Sequence, residues 1–140
     1  MSQFGNIYSQ YYDLIYKDKN YSGEVNYVIK LIRENNKEAK TLLDMGAGTG
    51  RHAELFCDNG YIVHGIDLSE DMLKIANKRI KNKRDKLSFS HSKIQELNLN
   101  KKFDVVVSLF HVLCYQNSNK ELIKTFEVAK NHLKKDGIFI

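Results

Sequence analysis

Thr41-Leu42-Leu43-Asp44-Met45-Gly46-Ala47-Gly48-Thr49-Gly50 is the stretch on which the reading of this chain turns. A short apolar run ends directly in three glycines separated by single residues, and Ala53, Leu55 and Phe56 then follow at helical spacing as far as Asn59-Gly60. The pattern predicts a strand, a glycine loop, a helix and a turn. In an open α/β sheet, ligands lie beyond the carboxyl ends of the strands, where the strand order reverses, so this loop is the first candidate site. A dinucleotide fingerprint, G-x-G-x-x-G, would need a glycine where Arg51 stands; the spacing here is G-x-G-x-G. Asp44, just before the glycines, would repel a pyrophosphate but suits a ligand that carries an ammonium group. Asp67 follows about 20 residues after the loop, at the end of the next apolar run, where a carboxylate can accept both hydroxyls of a ribose.

Working outward, apolar spacing predicts a helix over Ile7–Tyr16 and a second from Val25, capped by Ser22. Downstream, Tyr61–Ile66 reads as a strand. Ser69 caps a helix with Glu70 and Asp71 in its first turn and Lys78, Arg79 and Lys81 in its last, matching the helix macrodipole at both ends. Leu87–His91 is a weaker strand, and the β-branched run Phe103–Leu109 reads as one buried on both faces. Ser118-Asn119-Lys120-Glu121 forms a capping box for a helix whose inner side is Leu122, Ile123, Phe126, Ala129 and Leu133. Lys135-Asp136-Gly137 then turns the chain into a strand over 138–140. Strands near 41–45, 61–66, 87–91, 103–109 and 138–140, alternating with helices, predict an α/β fold: a doubly wound, mostly parallel sheet with helices on both faces. The last strand has barely begun at Ile140, so the expectation is an incomplete domain whose apolar sheet edge invites pairing with a second copy.

With 140 residues, 42% hydrophobic and 28% charged, the composition fits one domain around one core. No apolar run is long enough to span a bilayer, and Met1-Ser2-Gln3-Phe4 lacks the layout of a signal peptide. Cys57 and Cys114 are far apart with no CxxC, which points to reduced thiols in a cytoplasmic protein and to no metal site. The net charge of +5 comes from a lysine-rich composition, and the run Lys78–Lys86 reads more simply as a solvated helix end than as a nucleic-acid surface.

Taken in order, these residues resemble the class I S-adenosylmethionine-dependent methyltransferases. Leu42–Gly50 is similar to that family's first cofactor motif, Gly65–Leu73 to its second, Phe103–Tyr115 to its substrate-side segment, and Leu133–Phe139 to its turn into the fifth strand. The resemblance covers nearly the whole chain. Tyr11–Tyr16 and Ser108–Tyr115 look most like the amino-sugar N-methyltransferases and their glycine N-methyltransferase relatives. Two departures stand out: Ser92-Lys93 replaces the Gly-Asp whose acid bonds the adenine amino group in many relatives, and the family's full sheet has seven strands.

The resemblance implies a Rossmann-like fold over 41–140, a helical lid over 1–36, and S-adenosyl-L-methionine held by Asp44, Gly46, Ala47, Gly48, Asp67, Leu68, Met72, Ile94 and Leu109. Met72 could equally be plain core. Six of the eight tyrosines precede the first strand; they are either helix packing or a lid, in which Tyr12 and Tyr16 would bond the cofactor carboxylate. His111, with Tyr115 as the alternative, is expected to face a small-molecule acceptor and take its proton, against the competing reading of a buried structural histidine. No acid follows the fourth strand through Tyr115, which disfavours the metal-dependent catechol type, and the absence of proline excludes the Pro-Pro loop of methylases acting on exocyclic DNA amines. The expected activity is methyl transfer to a small-molecule amine or hydroxyl. The alternatives are an RNA or protein methyltransferase, or a non-catalytic cofactor-binding fragment of a longer enzyme.

Overall fold

The computed structural model describes residues 19–109 and 119–140. Helix α1 spans Tyr21–Asn35, followed by β1 (Thr41–Met45), α2 (Arg51–Asp58), β2 (Ile62–Asp67), α3 (Glu70–Asn77), β3 (Leu87–His91), a 3-10 turn (Ile94–Glu96), β4 (Phe103–Val107), α4 (Asn119–Asn131) and β5 (Leu133–Phe139). The strands form one sheet in the order β3-β2-β1-β4-β5. Every neighbouring pair is parallel. Strand order therefore reverses between β1 and β4, which opens a crevice beyond their carboxyl ends. The helix expected over Ile7–Tyr16 lies outside the described residues.

Successive residues of β1 point to opposite faces and feed two cores. Leu42 packs with Val63, Val105 and Val107 under α1 and α2, against Val25, Val28, Ile29, Ile32, Ala53 and Phe56. Leu43 and Met45 turn the other way and join Ile66, Val106, Leu97, Val128 and Ala129 beneath α4. Helices thus cover both faces, as expected. Helix α1, which falls within the stretch 1–36 expected as a lid, is a layer of the first core. Its cap is Asn20, whose side chain accepts the Gly23 amide at 2.9 Å, two residues earlier than the predicted Ser22. Ser69 caps α3 as predicted, accepting the Met72 amide at 3.2 Å. That helix ends at Asn77, so Lys78, Arg79 and Lys81 lie beyond it rather than in its last turn.

Two other expectations are corrected. Helix α4 buries Thr125, Val128 and Ala129, while Ile123 and Phe126 are exposed. Thr125 can face inward because its hydroxyl donates to the Glu121 carbonyl and accepts from Gln95, so no polar group is stranded. Strand β5 begins at Leu133, not at 138: Leu133 opposes Phe103 and Ile138 opposes Val105, so five steps on one strand match two on the other. The predicted turn at Lys135-Asp136-Gly137 is the excursion between those two paired points. Smaller shifts put β2 at Ile62–Asp67 and end β4 at Val107.

At the opposite end of the sheet from the crevice, Asp104 joins three segments. Its Oδ2 accepts from the amides of Lys40 and Thr41 at 2.8 and 3.0 Å and from the Thr41 hydroxyl at 3.1 Å. Lys134 Nζ lies 3.2 Å from Oδ1. Burial acts to raise the Asp104 carboxyl, but these hydrogen bonds outweigh it and hold it below its ordinary value.

Candidate functional site

The glycine loop leaves β1 at the edge of the crevice. Gly46, Gly48 and Gly50 all have positive φ, at 89°, 58° and 83°, a conformation that L side chains adopt at a cost. The loop's amides are turned inward: Gly46 and Ala47 both donate to the Ile66 carbonyl, at 2.9 and 2.8 Å, and Gly50 donates to Ala47 at 3.0 Å. Gly48 donates to Asp67 Oδ2 at 2.8 Å. A phosphate cradle presents such amides to its ligand. Here four of them are engaged within the protein, so the loop is shaped for a ligand without a pyrophosphate at this point.

Two carboxylates flank the loop. Asp44 is 2% exposed, and its Oδ2 has no hydrogen-bond partner among the described residues. Burial, reinforced by the nearby Asp67 charge, pushes its carboxyl up to about 7. Leaving such a group unpaired costs free energy, which an incoming cation or donor would recover. Asp67 closes β2; its Oδ1 accepts the Ser69 amide at 2.8 Å while Oδ2 holds Gly48. Burial raises this carboxyl too, opposed by the Ser69, Gly48 and Leu68 amides and by His91. Each oxygen of a carboxylate can accept twice, so Asp67 keeps capacity for a pair of hydroxyls.

The crevice floor differs from its rim. At Gly48 an added Cβ would meet nothing within 4 Å among the described residues, so these leave the loop open on the site side. At Gly50 the same atom would come within 2.9 Å of Phe89 Cζ and 3.1 Å of Ala76 Cβ, because α3 and β3 pack against the loop from behind. A Cβ added at Gly65 would be closer still, 2.7 Å from Phe89 Cδ1.

The structure brings Asp44, Gly46, Ala47, Gly48, Asp67 and Leu68 together around this crevice. Leu68 is 56% exposed beside Asp67, available as an apolar wall. Met72 is 2% exposed on α3 and presents almost no surface, in keeping with the core reading. Ile94 opens the 3-10 turn and packs partly against the second core, and Leu109 leans against the first. Tyr12, Tyr16, His111 and Tyr115 lie outside the described residues. Among the described residues no group of His, Cys, Asp and Glu side chains could hold a metal ion.

Sequence reasoning missed two contributors. His91 has no motif spacing, yet it pairs in register with Asp67 and its Nε2–H donates to the Leu68 carbonyl at 2.8 Å, fixing the backbone beside the carboxylate. Ser108 follows β4 at the crevice, and its buried hydroxyl has no hydrogen-bond partner among the described residues. The first could have been sought only by pairing β3 with β2. The second opens the Ser108–Tyr115 stretch read from sequence, but that reading gave the serine itself no role.

Comparison with known proteins agrees with this geometry. Residues 42–137 match the family model described as a methyltransferase domain. Over 131 residues the chain is 33% identical to the dTDP-3-amino-3,4,6-trideoxy-alpha-D-glucopyranose N,N-dimethyltransferase of Streptomyces venezuelae, covering 92% of this chain and 54% of that one. Among solved structures, an S-adenosylmethionine-dependent methyltransferase from Clostridium acetobutylicum superposes with a TM-score of 0.83 at 29% identity, over 99% of this chain and 56% of that one. The S-adenosylmethionine-bound amino pentose methyltransferase CalS10 from Micromonospora echinaspora gives 0.80 at 25% identity, over 96% and 54%. The chain thus spans about half the length of the relatives it matches. With the family model covering most of the chain and the parallel sheet, glycine loop and paired carboxylates in their expected places, the chain belongs to the methyltransferase-domain family.

Proposed function

We propose that this chain binds S-adenosyl-L-methionine at the β1–β4 crevice and forms the cofactor half of an enzyme that methylates a small-molecule acceptor, an amine or a hydroxyl. The observation that carries the reading is Asp44, a buried carboxylate with an oxygen that has no partner among the described residues, next to an open glycine cradle and a second carboxylate. An amino acid joined to a nucleoside answers all three features: its ammonium group suits Asp44, its ribose hydroxyls suit Asp67, and its body needs the space left by the missing Gly48 side chain. The inward-turned loop amides favour it over a dinucleotide. The relatives named as amino-sugar methyltransferases support an amine on a sugar as the acceptor class.

When bound, the cofactor supplies a sulfonium-activated methyl group. The protein's part is alignment and exclusion of water: Asp44 and Asp67 fix the two ends of the ligand, and Leu68 walls it on one side. A protonated amine acceptor has to lose its proton before it can act as a nucleophile. His111, or Tyr115 in its place, takes that proton, and Tyr12 and Tyr16 close over the cofactor carboxylate. The reading extends to an enzyme of the reducing cytoplasm, supported by Cys57 as a buried free thiol.

Calorimetry with S-adenosylmethionine, its demethylated product and NAD tests the binding reading; tighter binding of NAD overturns it. Transfer of labelled methyl onto amino sugars, small amines and bulk RNA tests the acceptor. Salt-sensitive labelling of RNA alone would replace the small-molecule reading with the nucleic-acid one.

A further inference from the structure

We infer that Arg79 is a positioning residue for the cofactor site, holding the glycine loop in its binding shape from the side the ligand does not reach. The inference rests on the proposed binding of S-adenosylmethionine at that loop. Arg79 follows α3, in the basic run that reads from sequence as a solvated helix end. Its Nε–H donates to the Thr49 carbonyl at 2.6 Å, and its Nη1 lies 3.6 Å from Glu54 Oε1 on α2. Thr49 sits between two glycines of positive φ, the most permissive part of the loop. Its carbonyl and the Gly50 amide belong to one peptide plane. Arg79 holds the oxygen of that plane while Ala47 holds its N–H at 3.0 Å, so the plane is pinned from both ends.

Helix capping does not explain the arrangement. The carbonyl of Gly50, not of Thr49, accepts the first helical bond, from Glu54 at 2.9 Å. A cation beside the first turn of α2 also opposes the helix macrodipole, which favours anions there; Glu54 offsets it, and Lys83 lies 3.8 Å from the other Glu54 oxygen. A guanidinium meets both demands because it presents several donors in one plane, one to the carbonyl and one to the carboxylate. The next peptide N-terminal to this plane carries the Gly48 region, the part of the loop that faces the open cradle. Freeing the Thr49–Gly50 plane would let the two glycines sample other conformations and disorder the surface the cofactor must meet.

The test compares the wild type with Arg79→Met and Arg79→Lys. In the ligand-free protein, hydrogen exchange at the Gly48 and Gly50 amides is expected to speed up in Arg79→Met and to return toward the wild-type rate in Arg79→Lys, which keeps one donor. Calorimetry is expected to show S-adenosylmethionine bound about tenfold more weakly by Arg79→Met, with most of the affinity regained in Arg79→Lys and the unfolding midpoints close together. Unchanged exchange at both amides overturns the inference. So does an affinity loss that tracks a lower midpoint and is not restored by lysine. If the wild type fails to bind S-adenosylmethionine, the cofactor reading falls by itself, and the exchange rates still decide whether Arg79 holds the loop.

Discussion

Asp67 Oδ2 accepts the amide of Gly48 at 2.8 Å, so the carboxylate at the end of β2 fixes the loop that leaves β1, 19 positions earlier in the chain. Parallel pairing of Met45 with Ile66 makes this possible, since it brings the two strand ends side by side. Asp67 therefore braces the loop, and in the proposed reading it also offers its remaining lone pairs to a ribose. Asp67→Ala removes both, and S-adenosylmethionine binding measured by calorimetry is expected to weaken by roughly 1.5 to 3 kcal/mol. Unchanged affinity would exclude Asp67 from the site.

The Asp44 carboxyl is pushed up to about 7 by burial and by Asp67, so the proposed cofactor binding is expected to depend on pH near neutrality. Below that value the group is protonated and offers no anion to an ammonium group, so affinity is expected to rise between about pH 6 and pH 7.5 and then level off. Near neutral pH, binding should release a proton, visible as a heat that changes with the buffer's ionisation enthalpy. Asp44→Asn should flatten the profile and abolish the buffer dependence. Stability runs in the opposite sense. A carboxyl raised in the fold favours the folded state most below its ordinary value of 3.8, and that contribution is lost as pH rises toward about 7. Asp44→Asn should therefore be the more stable protein at pH 8 in thermal melts, while binding the cofactor less well.

How far the sequence could be read depended on whether a feature was local. The strand, loop and helix around Gly46–Gly50 were legible because glycine spacing and apolar period act within a few residues, and so were the Ser69 cap and the acid ending β2. The inner face of α4 was misread because apolar residues were assumed to face inward. In the structure the satisfied hydroxyl of Thr125 lies inside, and Ile123 and Phe126 lie outside. Asn20 outcompeted Ser22 as a cap through its reach to the Gly23 amide, a choice between two good capping residues that composition could not make. Asp104, His91 and Arg79 act across 63, 23 and 30 positions of sequence, so their partners became visible only once strand order and crossovers were known.

The Asp104 junction is expected to govern acid stability. Its carboxyl is held below its ordinary value of 3.8, so its contribution is complete above that pH and is lost as pH falls through the lower folded value. Asp104→Ala strands the Thr41 amide and hydroxyl and should cost roughly 2 kcal/mol at neutral pH by urea unfolding. The variant's deficit should shrink in acid, where the wild type loses the same interactions. No deficit at neutral pH would show that strand pairing alone holds β1, β4 and β5 together, and a deficit that stays constant to below pH 3 would show that the charge on Asp104 plays no part.

Gly48 and Gly50 separate what the loop needs for folding from what it needs for binding. Both have positive φ, so alanine at either position costs about 1 kcal/mol in backbone strain. The remainder differs. At Gly50 the new methyl would lie 2.9 Å from Phe89 Cζ and 3.1 Å from Ala76 Cβ, so α3 or the Phe89 ring must give way; such overpacking is expected to bring the total loss of stability to roughly 2 to 4 kcal/mol. At Gly48 nothing among the described residues lies within 4 Å, so the fold should tolerate Gly48→Ala with little beyond the strain. That methyl would instead occupy the space the ligand needs. Thermal melts should therefore rank Gly50→Ala as the damaged fold, and calorimetry should rank Gly48→Ala as the damaged site, with S-adenosylmethionine affinity down at least tenfold. A Gly48→Ala protein that binds the cofactor as tightly as the wild type would mean that the open side of the loop is not where the ligand sits.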